Sequence, residues 1–159
     1  MVEFGDLVGR LDYPMLIVTA YDGERRAGCL VGFASQCGID PGRHMVWLSK
    51  NNHTYTVAKG CAWLGVHVPA PGNRALAELF GTVTGFDEDK FDRCAWRDGP
   101  EGVPLLTDCP QWFVGRVLAR LDTGDHEGVL LEPVAVGEQA GLGQIGFQAV
   151  RDLDAGNEA

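Results

Sequence analysis

Residues 28–54 read GCLVGFASQCGIDPGRHMVWLSKNNHT. An apolar run is followed by small residues, an Asp-Pro-Gly turn, a second apolar run and a polar cluster suited to opening a helix. Short apolar, β-branched runs bounded by Gly, Pro, Asn and Asp are the mark of strands and turns. Small, polar and cationic residues crowd the run ends, while the run interiors are apolar. That is the layout of a pocket built from loops on a β scaffold.

Working outward, Met15–Tyr21 reads as a strand, Asp22-Gly23 as a hairpin turn and Arg26–Val31 as the returning strand. Gly32–Gln36 is expected to form a turn or a single helical turn, Asp40-Pro41-Gly42 a second turn, and His44–Ser49 the next strand. Asn52 or Thr54 caps a short helix to Lys59, with Gly60 as its stop. Upstream, Phe4, Leu7, Val8 and Leu11 have helical spacing, broken at Tyr13-Pro14.

Downstream, Ala62–Val68 alternates as a strand and Asn73–Phe80 has the pattern of a compact helix. Gly81–Cys109 is irregular, with Phe86, Phe91 and Trp96 expected as its anchors. Trp112–Asp122 and Gly128–Val136 are strands around a Thr123–His126 turn. Past Gly137 the chain turns polar, and residues 152–159 look like a frayed tail. About six strands, two or three short helices and hairpin connections predict a mainly β fold, a mostly antiparallel β-barrel with short α-helices. One domain over residues 1–159 is expected, with a core over about 12–136 and an acidic tail from about 150.

Thirteen basic and twenty-two acidic residues give a net charge of −9. Such a field disfavours nucleic acid and anionic membrane surfaces as partners. No apolar run approaches the roughly 18 residues of a spanning helix. The first residues lack a cationic start followed by an apolar run, so a cytoplasmic location is the expectation. Cys29, Cys37, Cys61, Cys94 and Cys109 are odd in number and contain no C-x-x-C, which favours reduced thiols. His44, His53, His67 and His126 show no ligand spacing, so no metal is expected.

Gly141–Gly146 matches G-x-G-x-x-G, but only thirteen residues follow it. A dinucleotide-binding βαβ unit needs more chain than that, so the match reads as a glycine-rich turn. Cys37 lies among polar residues, yet no histidine is placed beside it to serve as base. Ser49-Lys50-Asn51-Asn52-His53-Thr54 gathers hydroxyls, amides and an ammonium, equipment for a phosphate, although a helix cap with a solvated lysine needs the same residues. The smallness of Gly32–Gln36 lets a flat ring approach the backbone. Gly124-Asp125-His126 is a third candidate, at the turn into the last strand.

Several features recur in one order: the Asp-Gly hairpin, small-residue turn, Asp-Pro turn, Asn-x-x-Thr-like strand end, Ala-Glu-Leu-Phe helix and Gly-Asp-His. Over Asp12–Val136 this order resembles the flavin reductase-like family, whose fold is the FMN-binding split barrel. The resemblance implies a homodimer that binds FMN or FAD, takes a hydride from NADH or NADPH, and supplies reduced flavin to a partner monooxygenase. By position it assigns Gly32, Phe33, Ala34, Ser35 and Gln36 to the isoalloxazine ring. It assigns Ser49, Lys50, Asn51, Asn52, His53 and Thr54 to the ribityl phosphate, His126 to the nicotinamide side, and Phe80 to closing the pocket. Relatives often carry Thr-x-Ser-Ser where this chain has Leu30-Val31-Gly32-Phe33, and proline where it has Gly42. The alternative is therefore a flavin, deazaflavin or haem binder on the same barrel without reductase turnover. Trp63, Trp96 and Trp112 are candidates for an apolar dimer interface, with Trp96 reaching the partner's pocket.

Overall fold

The computed structural model describes residues 1–155. Seven strands form one sheet: β1 (Leu16–Tyr21), β2 (Arg26–Val31), β3 (Ala34–Ile39), β4 (Gly42–Ser49), β5 (Trp63–His67), β8 (Trp112–Asp122) and β9 (His126–Val136). Between β5 and β8 lies a small hairpin of β6 (Trp96–Asp98) and β7 (Pro104–Leu106). Three short helices accompany them: α1 (Phe4–Val8), α2 (His53–Ala58) and α3 (Arg74–Thr82).

The sheet order is β2-β1-β5-β8-β9-β4-β3, and every neighbouring pair is antiparallel. The two edge strands, β2 and β3, are consecutive in the chain and joined by Gly32 and Phe33 alone. A sheet whose ends are two residues apart must curl, and it curls here into a half-barrel. Trp47 N donates to Phe33 O at 2.8 Å, which ties the link onto β4.

Alternation decides what enters the barrel. Leu16, Val18 and Ala20 of β1, Ala27, Cys29 and Val31 of β2, and Val46 and Leu48 of β4 meet Val129 and Leu131 in one buried cluster. Each such Val or Leu contributes about 1.5–3 kcal/mol by leaving water. The opposite faces of β1 and β2 pack on α3 and the following segment through Ile17, Phe80, Phe91 and Leu106. His67 is fully buried and bonds in two directions. Its Nδ1 lies 3.2 Å from Ile17 O, and its Nε2 accepts from Leu106 N at 3.1 Å. The ring is thus neutral with its proton on Nδ1, and it locks β7 against β1.

Three expectations need correction. Ala34–Ile39 is a strand rather than a turn, with a register shift between Gln36 and Gly38. Its side chains are largely exposed, so it carries no apolar alternation, and only the free edge of β4 draws it into the ladder. The stretch Gly81–Cys109 supplies β6 and β7, and Phe86, expected as an anchor, is 62% exposed. Apolar burial also continues past Val136. Ile145 and Val150 are buried with Met15 and Ala77, and Phe147 stacks on Tyr13 at 4.7 Å. The last four positions of the expected tail lie outside the described residues.

Candidate functional site

On β4 the inward Val46 and Leu48 leave Trp47 and Ser49 on the other face. Their register partners on β9 are Gly128 and His126. A Cβ on Gly128 would stand 2.7 Å from Trp47 Nε1 and 2.8 Å from Met45 Cε. Glycine is what lets the indole lie against β9. A cavity of about 480 Å³ opens here, bordered by Phe33, Ala34, Trp47, Thr123, Asp125 and His126. The Phe33 ring is 53% exposed, with its centroid 5.0 Å from that of His126.

The His126 imidazole is oriented by its neighbour, with Nδ1 2.8 Å from Asp125 Oδ1. That hydrogen bond holds the Asp125 carboxyl below its ordinary pKa. Lys50 N donates to Asp125 O at 2.9 Å and fastens the β8–β9 turn to the end of β4.

Next to it, a cavity of about 180 Å³ is bordered by Leu30, Ser49, Asn52, Phe80, Gly81 and Lys90, among others. Asn52 caps α2, its Oδ1 accepting from Thr54 N at 2.9 Å, so its amide nitrogen is not used by the cap. Lys90 is 5% exposed and donates to Gly28 O at 2.7 Å and Phe80 O at 3.1 Å. Burial pulls its ammonium below the ordinary lysine pKa.

The structure therefore gathers Phe33, Ala34 and His126 at the first cavity, and Ser49, Asn52 and Phe80 at the second. Phe80 is buried and forms a wall beneath the surface. Gly32 backs onto Tyr13, where a Cβ would stand 2.7 Å from the ring. Ser35 and Gln36 are exposed on β3 and bond to backbone carbonyls of their own strand, Gln36 O and Gly38 O. Lys50 Nζ donates to Asp122 Oδ1 at 2.7 Å on the β8–β9 hairpin, and borders neither cavity. Asn51 is exposed beside it, its N–H 3.4 Å from Ser49 Oγ. Thr54 is 1% exposed, within the core. His53 faces away toward Phe86, centroids 4.8 Å apart.

Sequence reasoning missed Trp47, Leu30 and Lys90. Trp47 was legible as the outward residue between Val46 and Leu48. Lys90 was not, because it lies in a segment without period and reaches the site only through the fold.

A family described as "Flavin reductase like domain" matches residues 8–148. The chain belongs to this flavin reductase-like family. "FMN reductase (NADH) RutF 2" of Rhizobium rhizogenes is 31% identical over 143 residues, covering 87% of this chain and 80% of that protein. A "Probable flavin reductase" of Rhizobium meliloti is 25% identical over an alignment of 146 residues, covering 89% of this chain but only 45% of that protein. Among solved structures, a flavin reductase domain protein from Arthrobacter sp. FB24 superposes with a TM-score of 0.77 at 23% identity, over 86% of this chain and 85% of that one. The NADH:FAD oxidoreductase SgcE6 of Streptomyces globisporus gives 0.77 at 20% identity, over 87% of each chain. These likenesses establish a split-barrel fold for the flavin reductase-like chain.

The residues present fit a flavin. Phe33 and Trp47 provide apolar aromatic walls for a flat ring, and the absence of a Cβ on Gly128 gives the Trp47 indole its place. Ser49 Oγ and the Asn52 amide nitrogen suit a polyol, and the Lys90 ammonium has no carboxylate partner among the described residues. Leu30 brings a methyl face to the smaller cavity.

Proposed function

We propose that this chain is an NAD(P)H-dependent flavin reductase acting on FMN or FAD. The observation that carries the reading is the aromatic-walled cavity of about 480 Å³ beside His126, in a chain of the flavin reductase-like family. Relatives named FMN reductase (NADH) support it. Bound flavin supplies the redox chemistry as hydride acceptor. What the chain must do is hold two flat rings in contact and keep water from between them.

Phe33 and Trp47 present the apolar surface for that stack. Ser49 and Asn52 would hydrogen-bond the ribityl chain, and Lys90 would face the phosphate. His126, held by Asp125, orients the nicotinamide rather than attacking it.

The same reading extends to assembly. Leu118, Leu121, Val134 and Val136 are exposed apolar residues on β8 and β9, and pairing them across a two-fold axis would cover them. A homodimer with its flavin sites near that axis is the arrangement proposed. A solved neighbour is nitrilotriacetate monooxygenase component B from Mycobacterium thermoresistibile, which supports delivery of reduced flavin to a separate monooxygenase. No described helix is long and apolar enough to cross a membrane, and action in the cytoplasm is the proposal.

The test is to mix the purified chain with NADH or NADPH and with FMN or FAD, following the loss of nicotinamide absorbance. Turnover with at least one pairing is expected. Silence with all four pairings overturns the reading.

A further inference from the structure

The segment from Val150 to Ala155 returns to the flavin side of the molecule. Its root is buried Val150, whose N–H donates to Phe147 O at 3.0 Å. Asp152 pairs at 3.3 Å with Arg74, the first residue of α3, and Arg74 also donates to Ala149 O. Leu153 is partly buried and packs on the cluster of Met15, Ala77, Ile145 and Val150, against which Leu30 packs too. Ala155 then borders the cavity of about 180 Å³, together with Phe80 and Gly81 near the other end of α3. From Arg74 to Gly81 the helix rises about 10 Å. Three residue steps from Asp152 to Ala155 reach about 10 Å when extended, enough to follow the helix to that end. The segment is a strap laid along α3.

The walls of the small cavity show what the strap adds. A Cβ on Gly81 would stand 2.9 Å from Leu30 Cδ2, so glycine is what lets the end of α3 close on β2. Ala155 contributes one methyl beside that junction, which narrows the cavity without filling it. Through Lys90 the small cavity adjoins another of about 310 Å³ on the outer face of β2. Ala155 and Gly81 border only the small one, so the strap stands on a wall the larger cavity does not share.

The hold on the strap is light. The Arg74 and Asp152 side chains are 44% and 72% exposed, and an ion pair so open to water contributes little. Leu153 is its one large apolar side chain past Val150 among the described residues. A segment with few buried contacts opens locally while the core stays folded. We propose that Asp152–Ala155 closes over the cavity that holds the ribityl chain, lifts to admit the flavin, and sets the rate at which the flavin leaves. The inference rests on the flavin reductase reading above. A closed strap keeps one flavin through successive turnovers, and an open one frees reduced flavin for another protein.

The test is stopped-flow association and dissociation of FMN and FAD with the full chain, followed by flavin fluorescence, beside melts of the flavin-free protein. Leu153→Ser leaves the charge unchanged and releases the strap. It should raise koff about tenfold and kon about twofold, because an open strap obstructs neither passage. Asp152→Ala removes the exposed anchor and should raise koff about threefold with no change in Tm. If Leu153→Ser fails to fold, Asp152→Ala decides alone. An unchanged koff overturns the inference while the reductase reading stands. A raised koff with kon unchanged or lowered also overturns it, since a loosened wall rather than a moving strap gives that result. A parent chain that binds neither flavin removes the reductase reading itself, and the strap's role with it.

Discussion

His67 shows how one buried side chain sets the acid limit of the fold. Burial, partly opposed by its bond to Ile17 O, depresses its pKa from 6.5 to about 4. Between those values the unfolded chain binds a proton that the folded chain refuses, so stability falls as pH is lowered through this window. The slope is about 1.4 kcal/mol per pH unit, about 3 kcal/mol across the window. His44 and His53 are shifted in the same direction by burial and add to the slope. Urea melts at stepped pH should show the decline, and His67→Gln should show a smaller one. An unchanged slope in that variant would remove His67 from the account. At the site, Gly128 is the residue with least freedom. In Gly128→Ala the new methyl meets Trp47 Nε1 and Met45 Cε, so the indole must tilt into the cavity. Flavin affinity should fall about tenfold with little change in melting temperature, as read by fluorescence titration.

Among the elements, α2 joins fold and site most closely. It has six residues, too few to persist without its cap and its contacts with the barrel. Asn52 supplies the cap through Oδ1 and also borders the smaller cavity. The two roles separate by substitution. Asn52→Ala should cost about 1 kcal/mol, a fall of about 2–4 °C in Tm, and should also weaken flavin binding. Asn52→Asp keeps an acceptor for Thr54 N but loses the amide donor, so stability should hold while flavin affinity falls. Calorimetric melts and flavin titrations on both variants check this. Equal flavin affinity in Asn52→Asp and the parent would show that the amide does not touch the ligand. The edge strand β3 illustrates the opposite dependence. Its exposed ASQCGI sequence has no strand signal of its own and forms a strand because β4 lies beside it.

At the scale of the molecule, the long β8–β9 pair leaves Leu118, Leu121, Val134 and Val136 exposed. The prediction is a sedimentation mass twice that of the chain, and a Leu121→Lys variant that runs as a monomer and binds flavin weakly. A parent protein that sediments as a monomer at micromolar concentration would refute the dimer. Flavin affinity unaffected by Leu121→Lys would place the site within one chain. The C-terminal segment also contributes, since Ile145, Phe147 and Val150 close the barrel flank against Tyr13 and Met15.

Much of the fold was legible before any coordinates. β1, β2, β4, β5, β8 and β9 announced themselves because each buries an alternating apolar face or ends on a strong turn signal, and the order of those signals carried the family. The chain offered Asn52 and Thr54 as caps for α2, and the structure uses Asn52; the grouping of Phe33 and His126 with Ser49 came from the family resemblance. The sequence could not show that Lys50 would pair with Asp122 while Lys90, forty residues further on, would be the ammonium beside Ser49 and Asn52. A long flexible side chain finds its partner through space, and which partner is near depends on how the sheet curls. The cavity on the outer face of β2 exists for the same reason. Alternation along a strand can be read from the chain, but which loops meet on its outer face is decided only when the barrel closes.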